Sequence, residues 1–514
     1  MANGIADLKH LQNGSDIRGV AMEGVPGEPV SLTPDVVRRI GAAFVAWLRQ
    51  KEGSAAALRI SVGMDSRISG PKLKASLIDG LTGQGASVED AGLASTPAMF
   101  MSTIFPQYRC DGAILLTASH LPFNRNGMKF FTPASGLEKD DISVLLELAQ
   151  SKTSFDTAGS ATVRRIDLMD DYAGYLVDWI RGSVGSTTDN DRPLAGFKIV
   201  VDAGNGAGGF FVDRVLQPLG ADTTGSQFLD PDGSFPNHVP NPEDDQAMQS
   251  LSEAVVAHKA DLGVIFDTDV DRAAAVDSDG IAIYRNRLVG LVAAIILEEH
   301  PGSTIVTDSI TSEGLTHFIE QTLGGRHHRF KRGYRNVINE AIRLNQEGQQ
   351  THLAIETSGH AALKENRFLD DGAYLITKLL TKMAQLRPAG KTLTHLIEAL
   401  PEPAESAEFR IKIRRTDFKD FGNSVIASLS TFVENTDGWS IVPRNFEGTR
   451  VTCDDQHGDG WFLLRLSLHD PVLPLNVESE RPGGVRTIAT RLAAFFQDID
   501  GLDTTAIDDY LSTH

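Results

Sequence analysis

At 514 residues, 41% hydrophobic and 23% charged, the chain is too long for one core and reads as a folded multidomain protein, with about one domain per 150 residues as the prior. Its 68 acidic side chains outnumber 48 basic ones, a field that repels polyanions, so nucleic acid and anionic membranes are disfavoured as partners and a phosphate ligand needs a local basic pocket. Cys110 and Cys453 are the only cysteines, which excludes a disulfide framework and a cysteine-built zinc site and suits a reducing compartment.

The N-terminus, MANGIADLKHLQNGSDIRG, has neither the basic-then-apolar layout of a secretory signal nor the Arg-rich character of a transit peptide, so the expected location is cytoplasmic. Short apolar runs ending in polar, Gly-rich turns then alternate with helical stretches, the pattern of α/β units with mainly parallel strands. Three pairs of runs stand out: LRISVGMDSR (58–67) with DGAILLTASH (111–120), FKIVVDAGNG (197–206) with DLGVIFDTDVDR (261–272), and STIVTDSITS (303–312) with THLAIETSGH (351–360). The polar segment 182–196 reads as a linker between the first two units. The longest apolar run, Leu288 to Leu297, falls well short of the roughly 20 residues that span a bilayer and reads as a buried helix. After PEPAESAEF (401–409) the pattern changes to alternating strands such as GWFLLRLSL (460–468), followed by a terminal helix around Val485 to Gln497. The expected fold class is therefore α/β: three related α/β domains and a smaller C-terminal α+β domain, with boundaries at 1–185, 186–302, 303–403 and 404–514. Ligands gather at the carboxyl ends of parallel strands, so the polar tips of the three pairs are expected to surround one central cleft.

Three of those tips, and one further segment, carry candidate chemistry. In DLGVIFDTDVDR, Asp267, Asp269 and Asp271 alternate directly after an apolar strand and present hard oxygen ligands suited to Mg²⁺. A solvated acidic turn is the bland reading. An EF-hand is excluded, because its sixth position holds Arg272 and its twelfth Ser278. The haloacid-dehalogenase pattern is a looser rival, and it needs a downstream lysine and acidic pair that are not evident. In LLTASHLPFNRNGMKFF (115–131), a strand opens into a loop with Ser119, His120, Asn126, Gly127 and Lys129; the serine is either a phosphoryl carrier activated by nearby cations and a metal, or a helix-capping turn residue. AIETSGH (354–360) offers Glu356, Ser358 and His360 as partners for sugar hydroxyls, and FKRGYRN (330–336) sets Lys331, Arg332 and Arg335 around Gly333, either a phosphate fork or a solvated basic turn. GNGAGG (204–209) satisfies a dinucleotide spacing but lacks a clean following strand, and GKT (390–392) has Gln385 where a P-loop needs glycine.

In this order the motifs resemble the α-D-phosphohexomutases, the family of phosphoglucomutases, phosphomannomutases and phosphoglucosamine mutases. SDIRG (15–19) and VGMDSRISG (62–70) look like the family's N-terminal motifs, TASHLPFNRNGMK like its phosphoserine loop, DTDVDR like its metal loop and ETSGH like its sugar loop. The resemblance implies four domains around a cleft, a phosphoserine at Ser119, and Mg²⁺ bridging it to Asp267, Asp269 and Asp271. It also implies Arg272 facing the phosphoryl group, Lys129 and His120 in proton transfer and phosphate stabilisation, Arg18 and Arg67 lining the cleft, and Glu356 and Ser358 on the sugar hydroxyls. The substrates implied are hexose phosphates and hexose bisphosphates; oligomeric state is not indicated.

Two departures from the family pattern bear on function. Thr268 and Val270 replace the usual Gly and Ala between the metal ligands, and the distal phosphate loop, usually Arg-Pro-Ser-Gly-Thr-Glu-Pro, reads RLSLHDP, with Arg465, Ser467 and His469. Leu468 takes the place of the glycine that lets backbone amides wrap a phosphate. That variant, with DTDVDR and YRNRL (284–288), is similar to a branch that makes glucose 1,6-bisphosphate from fructose 1,6-bisphosphate. A phosphohexomutase is the first expectation, that synthase the second, and a non-catalytic sugar-phosphate-binding regulator the third.

Overall fold

All five residues of GAILL are buried, and they form the strand Gly112–Leu116 in the middle of a seven-stranded sheet. Burial on both faces explains the unbroken apolar run. The computed structural model describes residues 7–52, 57–151, 161–185, 190–467 and 470–513. Gly112–Leu116 pairs in parallel with Arg59–Met64, which pairs in parallel with Ser87–Leu93, while Arg125–Phe131 and Asp16–Val20 add antiparallel strands on the other side. The helices Pro34–Glu52, Gly70–Thr82 and Lys139–Ser151 contribute Phe44, Leu77 and Leu145 to the sheet's apolar core.

The chain divides into two compact units, one comprising Met1–Tyr284, Ser358–Ala362 and Leu369–Leu393, the other Arg285–Thr357, Leu363–Phe368 and Thr394–His514. The first unit holds a second sheet, in which Ile199–Asp202 and Leu262–Phe266 run parallel and Ala273–Asp277 folds back antiparallel. In the second unit, Thr304–Thr307 pairs in parallel with Arg326–Arg329 and Thr351–Ile355. A six-stranded antiparallel sheet with Glu405–Ile413 and Val472–Ser479 near one edge completes that unit. The architecture is three α/β domains built on mixed sheets and a further C-terminal α+β domain. The expected helix forms as Gly484–Gln497 but is not the last: a short strand, Leu502–Asp503, pairs with Ile413 and leads into the helix Thr505–Thr513. The linker reading at 182–196 falls partly outside the described residues, at 186–189. Leu288 to Leu297 lies in the helix Asn286–Glu299 and is buried throughout; no described helix is long and apolar enough to cross a membrane.

Within the second unit a buried arginine ties the C-terminal sheet to the loop after Thr304–Thr307. The Arg450 guanidinium stacks 3.6 Å from the centroid of Trp461 and donates to the carbonyls of Ser309 and Thr311 at 2.8 and 2.9 Å and to Glu313 at 2.9 Å. Beside it, Glu478 accepts from Trp461 Nε1 at 2.9 Å, and burial pushes its carboxyl up to about 7 against that hydrogen bond and the nearby Arg450. A folded-state value above the unfolded one means that Glu478 contributes fully below about pH 4.5 and that this stability, about 3 kcal/mol, is lost as pH rises through about 7. The melting temperature is expected to fall between pH 5 and pH 8 more steeply in the wild type than in Glu478→Gln. Parallel profiles for the two proteins would refute the assignment.

Candidate active site

The fully buried strand Leu262–Phe266 runs straight into Asp267, and the chain reverses within DTDVDR to return as Ala273–Asp277. The reversal is tight: Asp267 N–H donates to the Arg272 carbonyl at 3.3 Å, Arg272 N–H donates to Asp267 Oδ1 at 3.2 Å, and Val270 sits at φ +66°. A β-branched residue is strained there by about 1–3 kcal/mol, so the surroundings must impose the shape. They do so from two sides. Gly372 N–H donates to the Val270 carbonyl at 3.1 Å, and Ala207 N–H donates to the Thr268 carbonyl at 2.8 Å. A Cβ on Gly206 would lie 2.7 Å from that same Thr268 oxygen, so GNGAGG serves close backbone approach to the acidic loop, not a dinucleotide.

The loop brings Asp267, Asp269 and Asp271 together, with one oxygen of each within 4.8 Å of the others, all three side chains buried. Lys129 Nζ donates to Asp269 Oδ2 at 2.8 Å and also to Asp271 Oδ2, and Thr96 Oγ1 donates to Asp269 Oδ2 at 2.5 Å. Burial and Asp271 push the Asp267 carboxyl well up, whereas Asp269 and Asp271, equally buried, are held low by Lys129. Asp269 Oδ1 and Asp271 Oδ1 are buried without a hydrogen-bond partner. Two orphaned carboxylate oxygens beside a third carboxylate form a donor set that fits a hard divalent cation.

Ser119 reaches this cluster from the first sheet, near the start of the loop that joins Gly112–Leu116 to Arg125–Phe131, with φ +49°. Its Oγ donates to Asp267 Oδ2 at 3.0 Å and accepts from Arg272 Nη2 at 3.0 Å. The same Nη2 donates to His120 Nδ1 at 2.7 Å. Burial, aided by Arg272, pushes the His120 imidazole down to about 3, so the ring is neutral and its Nδ1 is an acceptor. The structure therefore assembles Ser119, His120, Lys129, Arg272 and the three aspartates at one point.

Three family descriptions match the chain: phosphoglucomutase/phosphomannomutase alpha/beta/alpha domain I over residues 9–154, domain II over 173–280 and domain III over 284–404. The chain belongs to the phosphoglucomutase/phosphomannomutase family. Among its relatives, a phosphomannomutase/phosphoglucomutase of Pseudomonas syringae pv. tomato is 33% identical over 467 residues, 90% of each chain. A phosphoglucomutase of Neisseria gonorrhoeae is 30% identical, covering 94% of this chain and 95% of the relative. The crystal structure of a phosphoglucomutase/phosphomannomutase family protein from Burkholderia thailandensis superposes with a TM-score of 0.77 at 28% identity, over 96% of this chain and 98% of that one. The protein is thus an enzyme, a phosphohexomutase, of a family that uses a metal ion; the dehalogenase, synthase and regulator readings are not favoured.

Other residues of this phosphohexomutase lie where the motifs alone did not place them. The Arg67 side chain lies beneath the serine loop, not on its open face: its guanidinium is buried and donates to the carbonyls of Ser119, Leu121, Pro122 and Arg125 at 2.5, 2.6, 2.8 and 2.9 Å, with Asp65 at 3.3 Å behind it. A lysine has one point of charge and cannot span four carbonyls. Arg67→Lys is expected to lower stability by about 3 kcal/mol and turnover at least about tenfold, read by thermal melting and a coupled assay. Arg18 donates to the Thr117 carbonyl and to Asp16 at 2.8 Å. His360 lies against the acidic loop, 2.6 Å from Asp370 and 4.0 Å from Asp271, and these carboxylates, outweighing burial, raise it to about 9. Ser358 is buried near it in sequence, in the same unit.

In the second unit, Glu356 Oε1 accepts the Gly333 N–H at 2.6 Å, which ties the tip of Thr351–Ile355 to FKRGYRN, and Arg335 opens the following helix Tyr334–Gln346. Glu447 accepts from Ser309 Oγ at 2.5 Å and from Arg332 N–H at 3.1 Å. Arg465 is near enough to Arg332 that, after burial, the like charge lowers its guanidinium further. Ser467 N–H donates to the Val472 carbonyl at 3.0 Å, in the turn that follows Gly460–Leu464. His469 lies outside the described residues. Thr96 escaped the sequence reading because nothing in its spacing refers to an aspartate 173 positions away, and GNGAGG was noticed only for its dinucleotide spacing, not for its approach to Thr268.

Proposed function

We propose that this phosphohexomutase moves a phosphoryl group between Ser119 and the 1- and 6-positions of a hexose phosphate, through a hexose 1,6-bisphosphate, with Mg²⁺ held by Asp267, Asp269, Asp271 and phosphorylated Ser119. The observation that carries the reading is the Ser119 Oγ, set 3.0 Å from both Asp267 Oδ2 and Arg272 Nη2. A hydroxyl pinned between a carboxylate acceptor and a guanidinium donor is oriented for phosphoryl transfer, which depends on positioning and charge stabilisation more than on covalent chemistry. Bound Mg²⁺ would neutralise charge developing on the phosphoryl oxygens. Arg272 faces the same oxygens, Lys129 holds a proton beside Asp269 and Asp271, and neutral His120 accepts from Arg272 and so fixes its direction.

The names of the relatives, together with the donor chemistry of each residue, support the remaining assignments. Glu356, Ser358 and His360 serve the sugar hydroxyls, Arg18 the transferring end, and Arg335, Arg465, Ser467 and His469 the phosphate that is not being transferred. The working domain limits are 1–185, 186–302, 303–403 and 404–514, and a cytoplasmic location agrees with two buried, unpaired cysteines. The test is product analysis with glucose 6-phosphate, Mg²⁺ and a trace of glucose 1,6-bisphosphate. Formation of glucose 1-phosphate with phosphate mapped to Ser119 by mass spectrometry is expected; absence of both sinks the reading. Net accumulation of glucose 1,6-bisphosphate when fructose 1,6-bisphosphate is added would instead identify a synthase.

A further inference from the structure

Arg272 has two ends, and only one of them faces Ser119. Its Nη2 and Nε engage Ser119, His120 and Asp267, whereas Nη1 points away and donates to Asn241 Oδ1 at 2.9 Å. Asn241 belongs to the segment PNHVPNPE (236–243), which forms no strand or helix of its own. It is nonetheless anchored at both ends.

At the start of the segment, His238 is buried and bridges two pure acceptors: Nδ1 lies 2.9 Å from the Val239 carbonyl, and Nε2 lies 3.0 and 3.1 Å from the two oxygens of Asp202. Both ring nitrogens must carry protons to satisfy that geometry, so the pair is an imidazolium and a carboxylate. Asp202, at the end of the strand Ile199–Asp202, is itself fixed by the Gly204 N–H at 2.9 Å and Gln227 Nε2 at 2.7 Å. At the far end, Asp244 caps the helix Asp245–His258 by accepting from the Ala247 N–H. Between these anchors the Asn241 side chain is locked by the Glu243 N–H, which donates to its Oδ1 at 3.1 Å.

We infer that Asn241 is a positioning residue for phosphoryl transfer: held by the Asp202–His238 pair and the Asp244 cap, it fixes the rotation of the Arg272 guanidinium so that Nη2 stays on Ser119. The inference rests on the proposed roles of Ser119 and Arg272. Glu243, on the same segment, adds a long ion pair to Nη1 at 3.9 Å.

The test is a double-mutant cycle on the full-length enzyme with Asn241→Ala, Arg272→Lys and the double variant, together with Asn241→Asp, which keeps the acceptor oxygen. In the wild-type background Asn241→Ala is expected to lower kcat about tenfold with KM for the hexose phosphate within about twofold, and Asn241→Asp to recover most of the loss. In the Arg272→Lys background the alanine change should add little, because its target is gone. Additive losses in the cycle, or no recovery with aspartate, would overturn the inference. Wild-type protein that neither turns over hexose phosphate nor carries phosphate on Ser119 would instead overturn the reading on which it rests.

Discussion

Replacing Ser119 by alanine lowers turnover of hexose phosphate by about 10⁴-fold or more and leaves the fold in place. The Ser119 side chain is not part of any apolar core. Its hydroxyl touches only Asp267, Arg272 and His120, and the first two remain in contact without it, Arg272 Nη2 lying 3.0 Å from Asp267 Oδ2. The change in stability is therefore expected within about 1 kcal/mol, the range for losing one partly buried hydroxyl. No other hydroxyl is held between a carboxylate and Arg272 in the described residues, so no bypass for the phosphoryl group is provided. A coupled assay and intact-protein mass spectrometry read the two halves of the prediction: lost turnover, and lost phosphate after incubation with hexose bisphosphate. Turnover above about one per cent of wild type in a protein that melts normally would remove Ser119 from the carrier role.

The parts of this centre that were legible in advance lie close together in the chain. Asp267, Asp269 and Asp271 sit on one short reversal after a buried strand, so spacing alone discloses three carboxylates in one place. The three α/β units were legible for a related reason: buried parallel strands such as Gly112–Leu116 and Leu262–Phe266 are nearly all apolar, and the chemistry collects at their ends. Contacts made across the fold were not legible. Lys129 meets Asp269 from 140 positions away, Thr96 from 173, and Asn241 meets Arg272 through a segment without regular structure. The glycines at 204–209 illustrate the ambiguity of composition, since close approach to a nucleotide and close approach to a neighbouring loop demand the same absent side chain. Arg67 shows the converse: a motif arginine reads as a ligand contact, yet both of its terminal nitrogens donate to carbonyls of the loop it supports.

The second large effect concerns the cation. Chelation with EDTA is expected to abolish turnover, Mg²⁺ to restore it, and Asp269→Asn to weaken metal binding by about 10–100-fold, the range typical of disturbing a ligand set. The choice of Asp269 follows from its two oxygens. Oδ2 is already committed to Lys129 and Thr96, which fixes the carboxylate plane, while Oδ1 is buried without a partner. Asparagine keeps the shape and retains an acceptor but removes the charge and places an amide N–H₂ where one oxygen stood. If that group faces Thr96 and Lys129, each loses its acceptor on this residue; if it faces the cluster, the cation loses a ligand. Either orientation disturbs the site, whereas the same change at a purely structural acid would leave metal affinity alone. Isothermal titration with Mg²⁺ on the chelator-treated protein separates the cases, and it does so without reference to catalysis. Equal affinity in the variant and the wild type would show that the cation, if it binds, is not held by this loop.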